Sequence, residues 1–221
     1  MDDKTPIQYE EGAASFMGME IIVDQRVLIP RPETELLVRK VADLCVGIKK
    51  PRILDAGTGS GIISLGLAKL ITDCEIIASD VSKDALSVAR KNLKKFGFAD
   101  KIRLVVSDWF SYFTEEYNNF FDCIVSNPPY VSLKDFDQLD PWVKAEPRLA
   151  LYAGKEGMDC LNVIISGSLR LLAPRGKLSV EIGYDQAEKV KNRFSEGGFI
   201  GLTSSKDFNG YERVITGFKN G

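Results

Sequence analysis

The residues best equipped for chemistry in this chain are Asn127-Pro128-Pro129-Tyr130, which follow directly on the strand-like run 120–126. An Asn side chain offers an acceptor oxygen and two amide donors. Two successive prolines hold φ near −65° and push the residue before each into extended backbone. Neither carries an N–H, so the local carbonyls are not drawn into a helix or ladder. The outcome is a stiff shelf with an amide oxygen and a backbone carbonyl facing outward, backed by an aromatic ring. Such a shelf suits a planar –NH2 group: two N–H donors meet two acceptors, and the ring stacks on the flat face. The same tetrapeptide also serves as a plain strand-ending turn, and what precedes it decides between the two.

What precedes it is a strand-turn-helix. Arg52-Ile53-Leu54-Asp55-Ala56 leads into Gly57-Thr58-Gly59-Ser60-Gly61 and then into a helical run at 62–68. The glycines allow φ > 0 and close backbone approach by a ligand, and they deliver it to a helix N-terminus. The spacing is D-x-G-x-G-x-G, not the dinucleotide fingerprint G-x-G-x-x-G, whose third glycine would fall at Ile62. A second strand, 75–79, ends in Asp80, 25 residues after Asp55. An acidic residue there is placed to accept both hydroxyls of a ribose, and it also neighbours Ser82, the N-cap expected for a helix over 83–96 that Gly97 closes. A third strand, 101–107, ends in Asp108-Trp109-Phe110, where a carboxylate can accept an adenine amino group and Trp109 can cover the base. In open α/β sheets ligands bind at the carboxyl edge of the strands. Shelf and nucleoside site therefore face one crevice.

Elements around this core complete the expectation. The β-branched runs on either side of Asp24-Gln25 predict a short N-terminal hairpin. Pro30-Arg31-Pro32-Glu33-Thr34-Glu35 opens an amphipathic helix, and Arg31, Pro32 and Glu33 are candidates for a rigid lip over a ligand. Residues 131–155 read as a long loop with Trp142 and Glu146-Pro147-Arg148, of a length that is usually functional or mobile. A helix through Leu161 to Leu172, a strand at 177–182, a helix at 186–194 and a terminal hairpin turning at Asp207-Phe208-Asn209-Gly210 finish the chain.

Composition bounds the function classes. The chain has 221 residues, 44% apolar and 27% charged, as expected of one sizeable α/β domain. A formal net charge of −2 and a pI near 5.4 give no global footprint for nucleic acid or membrane. Cys45, Cys74, Cys123 and Cys160 lie far apart in apolar runs and read as reduced core residues of a cytoplasmic protein, not as metal ligands. No signal peptide or membrane span is visible. There is no histidine, which excludes histidine bases, nucleophile pairs and metal sites.

The string Asp55-Ala56-Gly57-Thr58-Gly59-Ser60-Gly61 with Asp80, Asp108 and a terminal strand pair resembles the class I S-adenosylmethionine-dependent methyltransferases. The resemblance implies a Rossmann-like fold. Its sheet would have seven mostly parallel strands with a reversed last strand, preceded here by the small β-hairpin. The division expected is a lead-in over 1–32 and a methyltransferase domain over 33–221. Asn127-Pro128-Pro129-Tyr130 is similar to the motif with which amino-methylating members hold a planar nitrogen. Leu28 to Glu35, Ser107-Asp108-Trp109-Phe110 and the Gln8-Tyr9 lead-in narrow the match. Together these resemble the HemK (PrmC) family of protein-glutamine N5-methyltransferases, which act on the Gly-Gly-Gln glutamine of peptide-chain release factors. By resemblance, Gly57, Thr58, Gly59, Ser60 and Gly61 hold the methionine and ribose portions of S-adenosylmethionine, Asp80 its ribose hydroxyls, and Asp108 with Trp109 its adenine. Asn127, which also borders the cofactor, and Pro128 accept the two N–H groups of the target glutamine, with Pro129 completing the shelf and Tyr130 stacking nearby. The partner implied is a release factor, with no direct nucleic acid and no membrane.

The chain departs from that family in three places. It starts almost at the hairpin, a short form without the family's N-terminal helical bundle. Ala153 and Glu156 replace a frequent glycine and aspartate, and 207–213 keeps only part of a D-x-x-G-x-D-R signature. An adenine-N6 methyltransferase of DNA or RNA would use the same shelf on a flipped-out base, but the acidic pI, the lack of a target-recognition insertion and the Arg31–Glu35 segment oppose it. A non-catalytic methyltransferase-fold adaptor would be expected to lose the glycine loop or the shelf, and both are intact.

Overall fold

Two short apolar runs meeting at Met17-Gly18 form the first paired structure in the computed structural model, which describes residues 5–221. After helix α1 (Ile7–Glu11), strands β1 (Ala13–Phe16) and β2 (Met19–Ile22) make an antiparallel hairpin. The expected hairpin exists, but not around Asp24-Gln25. Met17 and Gly18 have φ of 49° and 69°, the paired left-handed geometry that two-residue hairpins favour. Asp24 is used locally: its carboxylate accepts from the Arg26 backbone N–H at 3.1 Å and from Arg26 Nε at 2.8 Å. The run after it stays unpaired because Val27 and Ile29 are buried against the body of the protein instead.

Helix α2 (Pro32–Leu44) begins on the proline, whose missing N–H costs nothing at that position. The main sheet then alternates with helices: β3 (Arg52–Ala56), α3 (Ile62–Leu70), β4 (Glu75–Asp80), α4 (Lys83–Phe96), β5 (Ile102–Val106) and β6 (Phe121–Ser126). Ser82 Oγ accepts the Ala85 N–H at 3.1 Å, and Gly97 ends α4 in the left-handed region at φ 73°. The segment expected to be a long loop carries three short helices, α5 (Leu133–Gln138), α6 (Pro141–Lys144) and α7 (Arg148–Leu151). They are too short to display a 3.6-residue period. Their starts are marked by Ser132, which caps α5, by Pro141 in the first turn of α6 and by Pro147 before α7. Helix α8 (Asp159–Leu171), β7 (Leu172–Glu181), α9 (Ala187–Glu196), β8 (Phe199–Lys206) and β9 (Glu212–Lys219) complete the chain.

The sheet order is β5-β4-β3-β6-β7-β9-β8, parallel throughout except that β9 runs antiparallel to both its neighbours. This is the seven-stranded sheet with a reversed last strand. Successive strand residues serve opposite faces, as the pleat requires. Ile53, Cys123 and Val125 join a core with Leu37, Leu65 and Val88, whereas Leu54 and Ile124 join one with Leu161, Ile165 and Phe194. The hairpin belongs to the first of these cores through Phe16, Met19 and Ile21, and Asn92 of α4 ties it down by accepting from the Ile22 N–H at 2.7 Å and donating to the Ile22 carbonyl at 3.0 Å. From β3 the chain steps outward to β4 and β5, then returns to place β6 on the other side of β3. The carboxyl ends of β3 and β6 therefore diverge into loops on opposite sides, which opens a crevice between them. Among the described residues, no helix is long and apolar enough to cross a membrane.

Candidate active site

A cavity of about 400 Å³ occupies that switch point, within the size range of small-molecule sites. Arg31, Gly57, Thr58, Gly59, Ser60, Asp80, Asp108, Trp109, Asn127 and Pro129 all line it. Gly61, Pro128, Tyr130, Pro32 and Glu33 do not. A hollow of about 610 Å³ near the amino ends of β4 and β5, bordered by Glu75, Lys101, Arg103, Tyr117 and Phe120, is lined by no residue that the sequence singled out.

The glycine loop is pinned from both sides. Asp55, fully buried, accepts from Thr58 Oγ1 and Ser64 Oγ, each at 2.6 Å, and from the Ser64 N–H at 3.2 Å. Its second oxygen has no partner, and burial pushes the carboxyl up to about 6. The Gly57 and Thr58 N–H groups donate to the Ser79 carbonyl at 2.8 and 2.9 Å. Gly57 and Gly59 hold φ of 77° and 56°, a conformation that side chains strain. Gly57 also lies against the Trp109 ring, which a Cβ there would meet at an ordinary contact distance of 3.5 Å. Gly61 serves a different purpose, since a Cβ on it would press Leu93 and Ala89 of α4 at 3.2 and 3.4 Å.

Asp80 has a structural task of its own. Its two oxygens accept from the Gly59 and Ser82 N–H groups, both at 2.8 Å, tying the loop to the start of α4. Each carboxylate oxygen can accept a further hydrogen bond, Asp80 lines the crevice, and burial raises its pKa. Asp108 is exposed at the rim. Trp109 is held at φ 44°, a left-handed conformation uncommon for a bulky residue. The Ser107 hydroxyl stabilises it by donating to the Trp109 carbonyl at 2.7 Å. Bare backbone at Gly57 and Gly59, an indole beside it and two carboxylates suit a nucleoside with free hydroxyls and an exocyclic amine.

The shelf is braced by residues far away in sequence. Asn127 Nδ2 donates to Thr34 Oγ1 at 3.1 Å, and Thr34 Oγ1 donates to Glu181 Oε2 at 2.8 Å. This leaves Asn127 Oδ1 without a hydrogen bond among the described residues. Pro128 is buried, and its carbonyl receives no hydrogen bond among the described residues. Tyr130 turns its ring under the Arg213 guanidinium, 5.8 Å away, with the two groups 3.4 Å apart at the hydroxyl; burial and the nearby Glu181 push its phenol up to about 12. Gln186 fastens the far side: Nε2 donates to the Tyr130 and Gly157 carbonyls at 3.0 and 3.1 Å, and Oε1 accepts the Gly183 N–H at 2.9 Å.

The lip is an ion pair. Glu146, buried after α6, accepts from the Ile29 N–H at 2.9 Å and from the Arg31 guanidinium, which also stands 6.0 Å over the Trp142 ring. Arg31 thus clamps the 140s segment over the crevice. Pro32 is exposed and Glu33 half-buried beside Glu181. Sequence reasoning passed over Thr34, Glu181, Gln186 and Glu146. A faint signal existed for Glu181, the only charge in the apolar stretch 178–183. Three cysteines are buried as expected, whereas Cys160 is half-buried and lines the crevice.

Comparison with known proteins identifies the family. The family described as a methyltransferase domain matches residues 49–208. The release factor glutamine methyltransferase of Clostridium acetobutylicum is 36% identical over 219 residues, covering 99% of this chain and 76% of that protein. The Salmonella typhimurium protein of the same name is 39% identical over 212 residues, 96% of this chain and 75% of its own length. Among solved structures, the release-factor-specific protein-(glutamine-N5) methyltransferase of Alicyclobacillus acidocaldarius superposes with a TM-score of 0.54 at 25% identity, covering 87% of this chain and 95% of that one. With its glycine loop, its asparagine-proline shelf and relatives this similar over nearly its whole length, the chain belongs to the release factor glutamine methyltransferase family.

Proposed function

We propose that this chain transfers a methyl group from S-adenosylmethionine to the side-chain amide nitrogen of a protein glutamine, the Gly-Gly-Gln glutamine of a peptide-chain release factor. The observation that carries this reading is the fixed orientation of Asn127. Its NH2 is committed to Thr34, so the crevice meets an amide oxygen, an acceptor for a substrate N–H. The neighbouring Pro128 carbonyl receives no hydrogen bond among the described residues and is the second acceptor.

S-adenosylmethionine, when bound, supplies a methyl group already activated on a sulfonium. The residues present fit it: Gly57 and Gly59 leave bare backbone for its amino-acid portion and ribose, Asp80 accepts the ribose hydroxyls, and Asp108 with Trp109 holds the adenine. The protein's task is then placement and orientation. Two acceptors that draw the substrate N–H groups out of conjugation localise the lone pair on nitrogen and hold it in line. No histidine is needed. A cytoplasmic location follows from the substrate.

The test uses radiolabelled S-adenosylmethionine with a release factor, the same factor with its Gly-Gly-Gln glutamine changed to alanine, and total RNA. Label on the wild-type factor alone is expected. Label on RNA alone would replace this reading with adenine methylation. Asn127→Ala should abolish transfer while leaving cofactor affinity nearly unchanged; loss of both would sink the role assigned to the side chain.

A further inference from the structure

Glu181 makes no contact with the crevice, yet it stands at the end of a chain of hydrogen bonds that ends on the shelf. It is fully buried at the carboxyl end of β7, and one of its oxygens has no partner. The other accepts from Thr34 Oγ1, which in turn accepts from Asn127 Nδ2. A hydroxyl has one hydrogen to give. While Glu181 is ionised it can only accept, so Thr34 must donate to it and present a lone pair to Asn127. That lone pair can be met only by the amide NH2, and Oδ1 is thereby turned to the crevice. A protonated Glu181 can donate to Thr34 instead. The hydroxyl hydrogen is then free to point at Asn127, where it pairs with the amide oxygen and leaves the NH2 facing the substrate's own N–H groups.

Building on the glutamine-transfer reading above, we propose that Glu181 is a positioning residue: through the Thr34 hydroxyl its charge sets the orientation of the Asn127 amide, and the shelf accepts a substrate amide only while Glu181 is ionised.

The surroundings place this switch where it matters. The groups that face Glu181 are Glu33 and Thr34 from α2, Asn127 and Tyr130 after β6, and Arg213 from β9. Burial, the largest influence, and Glu33 raise its pKa; Thr34, Arg213 and Asn127 lower it, and the carboxyl ends near 7.

Two readouts test the relay, one independent of any acceptor protein. In the first, the side-chain NH2 resonances of Asn127 are followed by ¹⁵N NMR from pH 5.5 to 9, assigned with Asn127→Ala. They should titrate in the wild type and stay flat in Glu181→Gln. In the second, kcat with the release factor is measured over the same range for wild type, Glu181→Gln, Thr34→Val and Thr34→Ser. Wild-type kcat should fall about tenfold per pH unit on the acid side, with a midpoint at or below about 7. Glu181→Gln, whose amide oxygen can still accept from Thr34 but which has no proton to gain or lose over this range, should lose that limb and give a flat kcat, with cofactor Kd unchanged within about twofold. Thr34→Val, which removes the hydroxyl of the relay, should run on the order of 10²-fold slower at pH 8, and Thr34→Ser should recover most of that loss. An acid limb retained in Glu181→Gln, or Asn127 resonances that titrate equally in both proteins, would overturn the proposal. Failure of the wild type on every acceptor would instead refute the substrate reading, and the NMR titration would still decide the relay.

Discussion

Removing Arg31 probes the lip most directly. Glu146 is 3% exposed, and its only donors among the described residues are the Arg31 guanidinium and the Ile29 N–H. Arg31→Ala therefore leaves a carboxylate inside the protein with a single backbone donor. Truncating one member of a buried pair costs about 3–5 kcal/mol, mostly through the charge left behind. The Arg31 side chain is 26% exposed, so water reaches one side of the pair and brings the cost below that range, to about 2–3 kcal/mol. For a domain of this size that corresponds to a fall in Tm of about 5–10 °C. Glu146→Gln should cost less, about 1–2 kcal/mol, because the amide oxygen can still accept from Ile29 while its NH2 is turned against Arg31. Replacing both with apolar side chains, Arg31→Met with Glu146→Leu, removes the charges together and should destabilise less than Arg31→Ala alone. Urea denaturation of the singles and the double gives the coupling energy. Pro147, Leu149, Ala150 and Tyr152 line the crevice directly after Glu146, so cofactor affinity should fall in step with stability. Single-site effects that simply add within about 0.5 kcal/mol, or a change in Tm under about 1 °C, would refute the clamp.

Two further outcomes are expected. Gly57→Ala must hold φ at 77° and puts a methyl on the crevice wall, so it should cost about 1 kcal/mol of stability and, by calorimetry, weaken S-adenosylmethionine binding at least tenfold. Glu181 has a folded-state pKa raised from 4.5 to about 7, so its stabilising contribution is fully present below pH 4.5 and is lost as pH rises through 7. Glu181→Gln lacks that dependence, and its stability relative to wild type should rise by about 2–3 kcal/mol between pH 5 and pH 8 by denaturant titration; a constant difference would show that the carboxyl titrates normally.

The parts of the molecule legible in the sequence are those whose causes are local. Strands β3 to β6 announce themselves by β-branched runs, α4 by a Ser82 cap and a Gly97 stop, and the β8–β9 turn by Asn209-Gly210, whose glycine holds φ at 84°. The N-terminal hairpin shows the limit of that method. Met17-Gly18 is a weaker turn signal than Asp24-Gln25, yet the strands pair across it: Phe16, Met19 and Ile21 enter the core beside α4 as a hairpin, while Val27 reaches the same core, and Ile29 is buried, without strand pairing. The helices of the 131–155 segment escaped notice because four to six residues cannot show a helical period.

The candidate site divides along the same line, and the division explains its chemistry. The groups that would meet the cofactor sit on short segments at the ends of β3, β4 and β5, so their spacing is readable. The groups that orient the shelf come from elsewhere: Thr34 is 93 residues before Asn127, Glu181 lies on β7 and Gln186 just before α9. No window of sequence contains them together, because it is the parallel order β3-β6-β7 that brings α2, the end of β6 and the end of β7 to one place. A bare Asn-Pro-Pro-Tyr turn leaves the asparagine free to present either oxygen or nitrogen. The fold removes that freedom by supplying a hydroxyl whose own direction is dictated by a buried carboxylate. The acceptor character that a glutamine amide requires is thus a property of the assembled sheet, and the tetrapeptide acquires it only in that setting.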